Sequence, residues 1–93
     1  MMYPFVQLND NTEIVHSEIL EGENGGEKVK VYIETPIDGG FKSAVCYLPE
    51  YEWEEITGFT DEEISTHLKF LKSTAHLIIQ FAREGGFDDA ADF

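Results

Sequence analysis

Residues 28–48 read KVKVYIETPIDGGFKSAVCYL. Val29, Val31 and Ile33 alternate with Lys28, Lys30 and Glu34, the period-two pattern of a strand with one buried face. Asp38-Gly39-Gly40 follows with residues that tolerate positive φ, and Phe41 to Leu48 resumes in β-forming residues. Strands joined by so short a turn run antiparallel, because parallel neighbours need a long crossover.

Upstream of this hairpin the same grammar repeats. Asn24-Gly25-Gly26 marks another tight turn, preceded by an extended but poorly patterned segment from Thr12 to Leu20. Asn9-Asp10-Asn11 turns the chain before it, and Tyr3 to Leu8 reads as an edge strand because Pro4 lacks a ladder donor. Downstream, Tyr51 and Trp53 alternate with Glu52 and Glu54, which favours a strand with an acidic outer face. A run of Glu around a Trp also fits a helical turn.

The C-terminal third is helical. Thr60-Asp61-Glu62-Glu63 forms a capping box, with acids at the positive end of the helix dipole. Ile64, Leu68, Leu71, Ala75, Ile78 and Ala82 recur at spacings of four and three, one apolar stripe at about 100° per residue. Gly85-Gly86 stops it. A helix from Asp61 to Glu84 would be about 36 Å long, enough to overhang its sheet or bend. The expected fold is α+β: an antiparallel meander of four to five strands with one long C-terminal helix packed on one face. Residues 1–86 make a single domain, and 87–93 form an acidic and aromatic tail that is mobile unless Phe87 or Phe93 docks.

With 93 residues the chain is one domain, and its net charge of −13 bounds its partners. From Glu50 to Glu63 run seven carboxylates without a Lys or Arg: Glu50, Glu52, Glu54, Glu55, Asp61, Glu62 and Glu63. That field repels nucleic acid and anionic membrane and attracts basic protein surfaces. The bland account is a solvated, solubilising face. Lys28, Lys30 and Lys42 are too few for a nucleic-acid footprint. No apolar run reaches ~20 residues and no basic-then-apolar leader is read, so the expected compartment is the cytoplasm.

Chemistry is harder to place. Cys46 is the single cysteine and alternates with Ala44 and Leu48, a small buried hydrophobe without an evident activating base. His67 and His76 lie on opposite sides of the helix; His76 reads as solvated, and His67 is placed for contact with Glu63. His16 sits on the unpatterned segment. No zinc spacing, calcium loop, serine elbow or phosphate loop is present, so neither a metal nor a cofactor is expected. The chain reads as non-catalytic.

Binding surfaces offer more. If the helix covers the Val31 face, the other face carries Tyr32 and, in one register, Phe41, Val45 and Tyr47, an exposed aromatic patch; Trp53 is a further apolar candidate for partner or dimer contact. Phe70, Leu77 and Phe81 lie about 100° from the helix stripe; either the N-terminal strands or the tail cover them, or they form a homodimer seam or a partner groove.

One resemblance bears on function. Asp38-Gly39-Gly40-Phe41, then Leu48-Pro49, then Gly58-Phe59-Thr60-Asp61-Glu62-Glu63 resemble the core of HicB-type antitoxins over about residues 33–71. That family has a strand, an Asp-Gly-Gly-aromatic turn, a strand ending in Leu-Pro, a further strand and an acid-capped helix. Here Glu50-Tyr51 replaces the expected Gly-Cys, the N-terminal hairpin is additional, and no DNA-binding segment is read after the helix. The resemblance implies a non-catalytic protein that masks a small basic RNA-cleaving toxin. The alternatives are a structural homodimer whose acid only solubilises, and a small-ligand-binding protein.

Overall fold

The structure is a computed structural model that describes residues 1–85. Six strands precede one helix: β1 (Met2–Gln7), β2 (Glu13–Ser17), β3 (Leu20–Glu21), β4 (Glu27–Ile37), β5 (Gly40–Leu48), β6 (Glu52–Thr57) and α1 (Asp61–Arg83). All pairings are antiparallel in the order β1-β2-β4-β5-β6, with β3 pairing the start of β4. The arrangement is the expected α+β meander. Residues 51–56 resolve in favour of strand over helical turn, and the expected tail at 87–93 lies outside the described residues.

The long β4–β5 hairpin is the spine of the sheet, paired from Val29↔Leu48 to Ile37↔Gly40. Gly39 at φ +81 turns it, a backbone conformation that costs glycine little. Sequence made the Thr12–Leu20 segment look irregular because it is two strands. β2 pairs with Val31 to Glu34, the chain then breaks at Glu18-Ile19, and β3 resumes against Glu27 and Lys28. Ser17 bridges the break: its buried hydroxyl accepts from the Lys30 N–H at 3.0 Å and donates to the Glu18 carbonyl at 2.7 Å.

Directly paired residues point to the same face of a sheet. The row Tyr3–His16–Val31–Cys46–Trp53 therefore faces α1, as do Ile14, Ile33 and Ala44. Leu71, Ala75, Ile78 and Ala82 of α1 close onto Ile14, Val29, Val31, Ile33, Cys46 and Leu48. Burying each large aliphatic side chain contributes about 1.5–3 kcal/mol, which is why the stripe dictates how the helix lies. The 23 residues of α1 are about 34 Å long, against 36 Å for the longest extent of the molecule, so the helix spans the sheet.

Both ends of α1 are tied. Thr60 Oγ1 accepts from the Glu63 N–H at 3.1 Å, and Glu63 Oε1 accepts from the Thr60 N–H at 2.9 Å. Lys42 of β5 reaches Glu63 at 2.6 Å, and Arg83 donates to Glu27 of β4 at 2.6 and 3.0 Å. Gly85 follows in the left-handed region at φ +83. The β5–β6 connection contains a cis Leu48–Pro49 bond and places Tyr51 at φ +61.

Candidate protein-binding face

The face of the sheet turned away from α1 is built from Pro4, Val15, Tyr32, Val45 and Glu54 in one cross-strand row, with Lys30, Tyr47 and Glu52 in the next. Val45 is only 2% exposed on this face, where it lies between Tyr32 and Glu54 in the cross-strand row. Tyr32 and Tyr47 are half-buried, and Phe41 is 58% exposed at the hairpin end. Tyr32 donates to Glu34 at 2.9 Å; burial first, and that bond second, raise its phenol pKa. Lys28 holds its ammonium 4.2 Å over the Tyr47 ring, so a cation interrupts the expected aromatic patch. Trp53 is not part of it. Its pairing with Cys46 turns it to the helix side, where it packs half-buried against the core.

A cavity of about 320 Å³ lies between the β3–β4 hairpin and β6. Glu50, Glu52 and Glu54 line one wall, Glu23, Glu27 and Lys28 the other, with Tyr47 between them. Glu27 is held by Arg83, which lowers its pKa. Among the described residues, Glu23, Glu50, Glu52 and Glu54 are in no ion pair.

The seven-carboxylate run is thus divided by the fold. Glu50, Glu52 and Glu54 share the groove, while Glu55 sits exposed in a bulge at φ +53. Asp61 and Glu62 are exposed in the first turn of α1. Glu63 is spent on the cap and on Lys42, and the Lys42 bond is the main reason its pKa is lowered. Sequence reading missed Glu23 and Glu27, because only the pairing of β3 and β4 brings their hairpin opposite β6; the acids around Asn24-Gly25-Gly26 were the available signal.

The apolar candidates on α1 are placed otherwise. Phe5 of β1 packs on Phe70 and Phe81, with ring centroids 6.5 and 6.0 Å away. Leu77 is 38% exposed.

A smaller cavity of about 200 Å³ joins Asp10, Thr35, Lys42, Phe59, Glu63, Thr66 and His67. Burial lowers the His67 pKa, opposed in part by the charges of Asp10 and Glu63, and its ring meets Phe59 edge-on at 5.0 Å. The charged groups here already serve the fold: Asp10 accepts from the Thr12 N–H at 3.0 Å, and Lys42 is bound to Glu63. Cys46 is fully buried, and desolvation pushes its thiol up to about 12. His16 is also fully buried. A carbonyl only accepts, so Nδ1 donates to Ser17 O at 2.8 Å, and Nε2 has no partner among the described residues.

Among the described residues no group of three His, Cys, Asp or Glu side chains could hold a metal, and no helix is long and apolar enough to cross a membrane. No family model, curated protein or solved structure matches the chain.

Proposed function

We propose that this chain is a small, non-catalytic protein-binding module that masks a basic partner such as a toxin or nuclease. The observation that carries the reading is the groove itself. Glu23, Glu50, Glu52 and Glu54 converge there without ion-pair partners, around an aromatic ring that offers contact area. Unpaired carboxylates in a concave surface concentrate field and steer a cationic partner, and a half-buried Tyr is a suitable anchor once it arrives. The sealed thiol of Cys46 and the structural employment of Lys42, Glu63 and Asp10 favour a module without a reaction of its own. In this reading the chain works in the cytoplasm and makes no direct contact with nucleic acid. It is also what the HicB-type resemblance implies.

The test compares the tagged protein with a Glu52→Lys, Glu54→Lys, Glu55→Lys variant, capturing proteins from host lysate at low and high salt. A basic protein retained at low salt by the unaltered chain alone, and then bound by the purified pair, is the expected result. Equal retention by the reversed variant, or no basic protein at all, would overturn it.

The homodimer seam through Phe70, Leu77 and Phe81 draws less support, since Phe5 lies on both phenylalanines. A small-ligand role would use the cavity beside His67, whose charged groups are already paired or capping.

A further inference from the structure

The main path of the sheet, β1-β2-β4-β5-β6, ends in two edges, and they are guarded differently. At one edge, β1 carries no charged side chain; Pro4 and a register shift between Pro4 and Val6 interrupt it. A proline in an edge strand removes a donor from any incoming strand, whatever that strand's charge. At the other edge, β6 has no proline, and among the described residues nothing pairs with its outer side. Its protection is electrostatic: Glu52, Glu54 and Glu55 are all exposed. Charge of one sign repels a second copy of the same strand but attracts a strand of opposite sign.

We infer that β6 accepts a basic extended segment of the partner as an additional strand of the sheet. The inference rests on the masking reading and specifies how the partner is held. Register dictates the segment's pattern, since residues placed opposite each other share a face. Those opposite Glu52 and Glu54 point to the open face and must be Lys or Arg. The residue opposite Trp53 points to the helix side, where Trp53 is half-buried and Ile56 is 46% exposed, and is apolar. Main-chain hydrogen bonds supply affinity in such strand addition, and the alternating side chains supply selectivity. The bulge beyond Glu54 limits the straight ladder to Glu52–Glu54, so the segment is short and the groove acids add to its hold.

The probe is a capped octapeptide alternating Lys and Val, compared with the same peptide N-methylated at its two central residues. The adjacent methyl groups block both hydrogen-bonding edges and leave every charge in place. Trp53 is the only tryptophan and lies in β6, so its fluorescence reports binding at the proposed position. The expected result is a fluorescence change with the unmodified peptide, amide exchange of residues 52–57 slowed at least tenfold, and at least tenfold weaker binding of the methylated peptide. Equal binding of both peptides without protection of β6 would overturn strand addition while leaving the charged groove standing. Protection of β1 instead would overturn it as well. Failure of both peptides to bind at low salt would remove both readings.

Discussion

Two residues define what this interior permits. Cys46 lies in the middle of β5 beneath α1, and the cost of burying a thiolate sets its pKa near 12. It should therefore resist a disulfide-exchange reagent in the native protein and react fully in denaturant, as followed by thiolate release. Rapid native reaction would mean that β5 opens locally. His67 makes a pH-dependent contribution of definite sign. Burial holds it below its ordinary 6.5, so the folded chain binds fewer protons than the unfolded chain as pH falls through that value. Stability is lost from about pH 6.5 downward, and the loss stops growing below the folded pKa. A His67→Gln variant should show a flatter dependence of urea midpoint on pH just below 6.5; an unchanged slope would place the titration elsewhere.

At the scale of elements, the junction of β6 with α1 is the most constrained connection. The capping box closes reciprocally on Thr60 and Glu63, while Glu63 also holds Lys42 of β5. Removing the threonine hydroxyl should cost about 1 kcal/mol, the usual value for an N-cap. Equilibrium urea unfolding of Thr60→Ala against the unaltered chain measures it, and a loss near zero would mean that the Lys42 link alone fixes the helix start. Strand β6 and the turn before it show the opposite balance, with two non-glycine residues at positive φ, Tyr51 in the turn and Glu55 in the strand. An L residue there bears about 1–2 kcal/mol of strain. The packing of Tyr51 and Trp53 against the core offsets it.

For the molecule as a whole, self-repulsion at −13 is the dominant electrostatic fact, since only three ion pairs occur among the described residues. Raising ionic strength from about 0.01 M to about 0.1 M shortens the screening length from about 30 to about 10 Å. The melting temperature should rise over that range, and rise less in a Glu52→Gln, Glu54→Gln variant. If both proteins respond alike, the groove acids are not a source of the repulsion. The strand edges add a second whole-molecule property: an acidic edge at β6 opposes pairing between copies.

By itself the sequence determined the elements whose signals are local. Alternation in Val29, Val31 and Ile33, the glycine at position 39, the Thr60–Glu63 box and the helix stripe each need only nearby residues, and each is found where its pattern places it. Tertiary structure decided what depends on residues far apart in the chain. It split the Thr12–Leu20 segment into β2 and β3, laid Phe5 over Phe70 and Phe81, and sealed His16 beneath the helix. It also parted the acidic run, turning Glu52 and Glu54 into a groove with Glu23 while Asp61 and Glu62 went to the helix start. The reason is physical: the period of a strand says which side chains share a face, but only register and sheet order say which strands lie beside them.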